Sequence, residues 1–454
     1  MEDAALLPHL MNLISAAGPA IRDSRVRTKL EPLVLGTLCG DSPKTITSIL
    51  EFDAERGNRD NSLDDWSAFY RFFSQSSWEL EEFFGIVFSC AMSFCKEGDP
   101  VRILVDDTLL RKTGKRIPGA AYARDPLSPP FNTNLVWGQR MICISLLVRA
   151  SPTASYRAIP ICFLLKPPVR PPKNATDEER QEFKELKKKN NMSVAGRQML
   201  DWVRKRLDAM PGGSARRLFV AADGSFANRT FLEKPPHDTV IVARCRDDLN
   251  LRRPIDPDKK VGKRKYGGRL PTPRQINQDA AFPEKELATG VKHQKATVRY
   301  KAVDGIRWPT ALKDQPCGIL TVKGQYFNKG GKRQNTRPAY LIVTGDYDSA
   351  DMEDILETYL LRWEIEVGFR DRKNGLGIGK AQVWNKNSVA RVPGFMSACY
   401  SMLLMASMRA FGDERGEKFA HLPKWRSKTP NRPSLRDLVE LLRREVRSAI
   451  RTAA

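Results

Sequence analysis

Val101-Arg-Ile-Leu-Val-Asp-Asp-Thr108 and, 117 residues further on, Leu218-Phe-Val-Ala-Ala-Asp-Gly-Ser225 decide the fold class. Each is a short apolar run of strand length that closes on an aspartate, Asp106 or Asp223. A carboxylate at the end of a central strand is held by rigid scaffold while its oxygens stay free to meet a hard cation. An aspartate after a strand also commonly opens a turn, so neither segment alone separates the two readings. Two such residues on neighbouring strands, with a third carboxylate opposite, say more, because the repulsion among them requires a cation or a proton.

Outward from the first segment, Met141–Val148 and Ala158–Leu165 read as two more strands. Pro160 gives the second of these an irregular or edge-exposed start. Three strands in succession without a long helix predict an antiparallel meander. Lys166–Pro172 is a stiff Pro-rich connection, and Asp177–Lys189 is highly charged. Ala195, Met199, Trp202 or Val203, and Leu207 then fall on one helical face, which Pro211-Gly-Gly213 ends. A helical crossover into the second segment predicts a mixed α/β arrangement, since a strand returning parallel to its sheet needs one. Thr239–Cys245 is a further strand. Residues 250–345 are rich in Lys, Arg, Gly and Pro, with strand-like pieces at Ala296–Ala302 and Ala339–Val343. They read as a β-rich insertion, whose basic run Lys259–Lys265 is either a DNA contact or a solvated loop.

The first 95 residues read as helical, with Trp66, Phe69, Tyr70 and Phe73 at helical spacing. That stripe suits a core, and such units also bind DNA. At the other end, Ser434-Leu-Arg-Asp437 resembles a helix cap, followed by the stripe Leu435, Leu438, Val439, Leu442 and Val446. The expected organisation is a helical region at 1–95, an α/β core split between 96–249 and 346–412, the insertion at 250–345, and a basic linker with a helix at 413–454.

Composition narrows the partners. The 454 residues hold 76 Lys+Arg against 53 Asp+Glu, a formal charge of +23. Such an excess favours a polyanion through attraction and counterion release, although solubility alone or a membrane surface would also use it. The 8 cysteines lack the spacing of a zinc knuckle and read as thiols of a reducing compartment. Glu2 and Asp3 stand where a secretory signal would carry positive charge. Val392–Met408, barely long enough for a bilayer, reads as a buried core helix. These features predict a cytoplasmic protein that does not enter a membrane.

A third acid comes from the helical stretch Asp351–Lys373. At about 100° per residue, Tyr359, Arg362, Glu366, Arg370 and Lys373 share a sector of roughly 80°, with Glu364 about 160° from Glu366. Ordinary i,i+4 ion pairs among Arg362, Glu366 and Arg370 would produce the same pattern.

The spacing Tyr359-x₂-Arg362-x₃-Glu366-x₆-Lys373, with Asp106-Asp-Thr108 and Asp223-Gly224 in order before it, resembles the signature of the DDE transposases of the bacterial IS4-related superfamily, IS701-like in kind. The resemblance covers roughly residues 95–410. It implies an RNase H-like core in which Asp106, Asp223 and Glu366 are the catalytic, metal-holding acids, and the interval of 143 positions from Asp223 to Glu366 accommodates the insertion. Asp106 is taken over Asp107 for its Asp-x-Thr placement, and Ser225 replaces an aromatic common in the family. Tyr359, Arg362 and Lys373 would handle DNA, joined by Lys263, Arg264 and Lys265 of the basic run. The implied cofactors are two divalent cations, Mg²⁺ with Mn²⁺ as substitute. The implied partners are double-stranded DNA at transposon ends and target DNA, met by a dimer or higher assembly at the nucleoid of a bacterium. The expected reaction is metal-dependent cleavage followed by transfer of the 3′-hydroxyl ends. A nuclease without strand transfer and a noncatalytic basic DNA-binding factor are the alternatives.

Overall fold

The computed structural model describes residues 5–41, 43–56, 65–125, 128–129, 131–169, 174–256, 265–289, 296–324, 326–329, 332–381, 383–416, 418–419 and 430–453. The N-terminal helices are α1 (Leu6–Ala17), α2 (Leu30–Cys39), α3 (Ile46–Glu55), α4 (Trp66–Ser74) and α5 (Leu80–Met92). Next come β1 (Val101–Arg111), β2 (Ala120–Arg124), β3 (Leu135–Val148), β4 (Arg157–Leu165), α6 (Asp177–Lys189) and α7 (Met192–Asp208). The strands β5 (Leu218–Ala222), β6 (Thr239–Arg244), β7 (Lys285–Thr289), β8 (Ala296–Arg307), β9 (Pro316–Val322), β10 (Tyr326–Lys329), β11 (Lys332–Asn335) and β12 (Ala339–Gly345) follow. The last long helices are α8 (Met352–Leu360), α9 (Trp363–Arg370), α10 (Ser388–Phe411) and α11 (Leu435–Ala453). The chain forms an α/β fold with mixed sheet pairing and flanking helices, and it divides into two compact units.

One unit comprises residues 1–96, 107–188 and 364–454. Its centre is α10, on which α1, α2, α5 and β4 pack. By length and composition α10 could cross a membrane, yet 89% of its apolar window is buried inside the protein, as the core-helix reading expects. The expected aromatic stripe is core only in part: Phe69 and Phe73 are buried, whereas Trp66 and Tyr70 are exposed. Phe72, Phe73, Trp78 and Phe83 surround Phe395, with ring centroids 5.4–6.4 Å from it. Of the three strands expected as a meander, β3 pairs antiparallel with β4 and lies next to β1 in the strand order, and β2, a strand the sequence reading lacked, also pairs antiparallel with β3. The register slips between Ile144 and Ser145, opposite Pro160. Proline cannot donate to the ladder, which explains both the slip and the position of β4 beside β3 alone. Ser434 and Asp437 cap α11 reciprocally, as the sequence indicates.

The other unit comprises residues 97–106 and 189–363. β1, β5 and β6 run parallel at its core, and β12, β9, β8 and β7 continue antiparallel from β6. Strands of the stretch read as an insertion therefore extend this sheet. α7 buries Ala195, Met199, Val203 and Leu207, the predicted face. Its end must be glycine: a Cβ on Gly213 would lie 1.8 Å from the Leu207 carbonyl oxygen. α8 lays Met352, Ile355, Leu356 and Tyr359 against β5 and β6, with the i, i+3, i+4, i+7 spacing of one buried face. The eight cysteines are all free thiols.

Candidate active site

Two aspartates reach the site because their strands are nearly all apolar and buried. Val101, Ile103, Leu104 and Val105 of β1, like Leu218, Val220, Ala221 and Ala222 of β5, are fully enclosed. The parallel register runs from Val101↔Leu218 to Val105↔Ala222. One step further, Asp106 and Asp223 stand side by side on strands about 4.8 Å apart. β5 pairs with β6 through Ala222↔Ala243, so exposed Arg244 is the next residue in the same row. The carboxyl ends of parallel strands are where open α/β sheets bind ligands.

Two carboxylates so placed need a countercharge, and Arg362 supplies it. Its Nη1 donates to Asp106 Oδ2 at 3.1 Å, and Nη2 lies 4.0 Å from Asp223 Oδ1. The Arg362 and Asp106 side chains are 14% and 15% exposed, whereas Asp223 is 41% exposed. Asp106 is thus held firmly, and Asp223 opens to solvent. Tyr359 completes the group: burial raises its hydroxyl pKa, opposed by nearby Arg362 and Arg244, and Arg362 hydrogen-bonds to it. Arg102 reaches Asp354 and Glu357, and Arg217 pairs with Asp351, tying the start of α8 and the turn before it to β1 and to the residue ahead of β5.

The stretch expected as one helix through Lys373 is broken twice. After α8 the Arg362 N–H bonds to the Tyr359 carbonyl, a tightened i→i+3 turn, before α9 begins. Asp371–Gly375 is then a π-helical turn. A constant 100° advance therefore does not carry from Tyr359 and Arg362 to Glu366 and Lys373. The π turn surrounds buried Arg372, which donates to the Gly368 carbonyl at 3.0 Å and Ser397 Oγ at 2.6 Å, with Phe163, Phe369 and Tyr400 rings against its guanidinium. An arginine absent from the sequence reading sets the geometry of this turn.

Glu366 lies in the first turn of α9 and, like Lys373, is half-buried. Its neighbour Glu364 pairs with Arg432 at 2.8 Å. Asp107, pointing oppositely to Asp106 along β1, takes both Arg140 Nε at 2.7 Å and Nη2 at 3.1 Å. Glu364 and Asp107 are thus engaged in ion pairs of their own. Among the described residues no group of three or more Asp, Glu, His or Cys side chains forms a metal-holding cluster. The acids that the structure brings together are Asp106 and Asp223. Lys263 and Arg264 lie outside the described residues, and Lys265 is exposed. Arg244 was missed because it reads only as the charged end of an apolar strand; the pairing of β6 with β5 reveals its neighbours.

The sequence model of a family described as DDE superfamily endonuclease matches residues 26–310, a span that contains Asp106 and Asp223 and stops short of Glu366. No curated protein matches the chain.

Proposed function

Because the chain belongs to the DDE superfamily of endonucleases, we propose that it is a transposase that cuts DNA at transposon ends and joins the freed 3′-hydroxyls to target DNA. The observation that carries this reading is the juxtaposition of Asp106 and Asp223 on parallel strands, with Arg362 against both. An antiparallel meander followed by a helix into a parallel central strand also suits an RNase H-like core.

The donors fit a divalent cation of the Mg²⁺ or Mn²⁺ kind: they are carboxylate oxygens, and the guanidinium beside them marks a place where positive charge is favoured. Asp106 and Asp223 would hold the metal ions with Glu366 as third acid. Bound there, two such ions would supply an activated oxygen nucleophile and stabilise the departing one. The chain's own groups do the positioning. Tyr359 and Arg362 hold a phosphate beside the acids, and exposed Arg244 adds a second cation on the Asp223 side. Lys373 and the basic run Lys263–Lys265 contact phosphates further along the duplex. Two 3′-hydroxyl ends must meet one target, so the working assembly contains at least two chains.

The family description names cleavage, which favours a nuclease without joining as the second reading. A donor plasmid bearing the flanking element ends, incubated with purified protein and Mg²⁺, separates the two on a sequencing gel. Cleaved ends joined to a second DNA are expected from the parental protein, and neither product from Asp106→Asn. Cleavage without joining, even from precut 3′-hydroxyl ends, would leave only the nuclease. Parental activity in Asp106→Asn would remove the site.

A further inference from the structure

Among the described residues the most exposed large apolar side chain is Phe131, 91% accessible, in the loop joining β2 to β3. A phenyl ring left in water wants a partner, and hydrogen bonds tie the described residues on either side of this one. Asp125 N–H bonds to the Asn134 carbonyl at 2.9 Å, and Ser128 Oγ accepts from the Asn134 N–H at 2.9 Å. The Asn132 N–H closes a turn onto the Pro129 carbonyl at 3.2 Å, with Phe131 inside it. Below the tip, Tyr122 pairs with Trp137 and Arg124 with Leu135, so these four residues share one face of the hairpin. Tyr122, Arg124 and Leu135 are exposed there, and the Tyr122 and Trp137 rings meet edge to face at 5.2 Å.

Charge identifies the partner. From Arg111 to Arg140 the sequence carries six Lys or Arg and a single acid, Asp125, which pairs with Arg111 at 2.8 Å; with Arg140 on Asp107 and Lys112 half-buried, Lys115, Arg116 and Arg124 are the other exposed cations of the stretch. An apolar tip among cations suits a polyanion whose interior is apolar, and a protein groove would not need that charge. We propose that the β2–β3 hairpin is a wedge for duplex DNA, in which Phe131 inserts between two base pairs and kinks the helix while Arg124 and its basic neighbours hold the phosphates. The proposal rests on the chain being a DNA-cutting enzyme, but the wedge itself needs neither metal nor cleavage.

The test uses the full chain in EDTA with short duplexes in which 2-aminopurine is moved step by step, plus end-labelled duplexes whose energy transfer reports bending. The parental protein should brighten 2-aminopurine at one step and shorten the end-to-end distance. Phe131→Ala should lose both signals and bind roughly 5- to 150-fold more weakly, the range for losing one base–aromatic stack. Phe131→Trp should keep them, and a mismatch at the brightened step should restore bending by Phe131→Ala. An unchanged melting temperature will show that the variants fold, as expected for a side chain with so little packing. Equal brightening and bending by parental protein and Phe131→Ala overturn the wedge, as does the absence of brightening at every step or a loss of protein–protein association instead. Because no cleavage is read, failure of the wedge and failure of the transposase reading are separate results.

Discussion

Replacing Arg362 by Gln isolates what the guanidinium does for the acid pair. Carboxylates about 5 Å apart repel by roughly 3 kcal/mol at an effective dielectric constant of about 20. The exposure of Asp223 weakens that term by screening, whereas the 3.1 Å bond to largely enclosed Asp106 retains most of its worth. Arg362→Gln should therefore destabilise the metal-free protein by about 2 kcal/mol, or a few degrees of melting temperature. A divalent cation should close much of that gap, because it provides the missing countercharge. The variant should also bind Mn²⁺ more tightly than the parent, by up to roughly tenfold, since no guanidinium has to be displaced or share the carboxylates. Thermal unfolding of both proteins across a Mn²⁺ titration, without DNA, measures both effects. Identical melting without metal, or a gap that widens as Mn²⁺ is added, would refute the argument that Arg362 stands in for a cation.

Glu366→Gln should cut cleavage by roughly 100-fold or more while duplex binding persists, whereas Glu364→Gln should lose about 1–3 kcal/mol of stability with its Arg432 partner yet keep most cleavage at a temperature where it is folded. Rates and melting curves on the same preparations decide this, and a parental rate for Glu366→Gln sinks the three-acid mechanism. Burial lowers the Lys112 ammonium from the usual 10.5 to about 8. From about pH 8 to 10.5 the unfolded chain then binds more protons than the folded one, so this group's contribution to stability rises with pH. Melting of the parental protein should gain on Lys112→Met between pH 8 and 10; a constant difference across that window would show that Lys112 does not titrate there.

Much of the scaffold was legible because strands and helices announce themselves by period and by enclosure. Val101–Val105, apart from Arg102, and Leu218–Ala222 are apolar because both their faces are covered, and Pro160 marked an irregular strand through its missing donor. Beyond Asp106 the sequence reading failed: β1 continues to Arg111, since Asp107 is accommodated by Arg140, 33 residues away. The helix breaks around Arg362 and Arg372 were equally hidden. Each follows from what a long side chain meets in three dimensions, carboxylates in one case and aromatic rings with neutral acceptors in the other. Such partners are remote in sequence, and a periodicity argument carries no term for them.

The pairing of β1 with β5 also sets a clock on synthesis. Val101 leaves the ribosome 117 residues ahead of its neighbour Leu218, an interval of roughly 6–23 s at 5–20 residues per second. β3 emerges much sooner to take one edge of β1. The other edge, a row of unpaired backbone donors and acceptors on an almost wholly apolar strand, waits for β5 and is meanwhile a template for pairing with other nascent chains. Codon changes that slow passage from Lys189 to Ala222 lengthen that exposure, and chains cut short before Leu218 never end it.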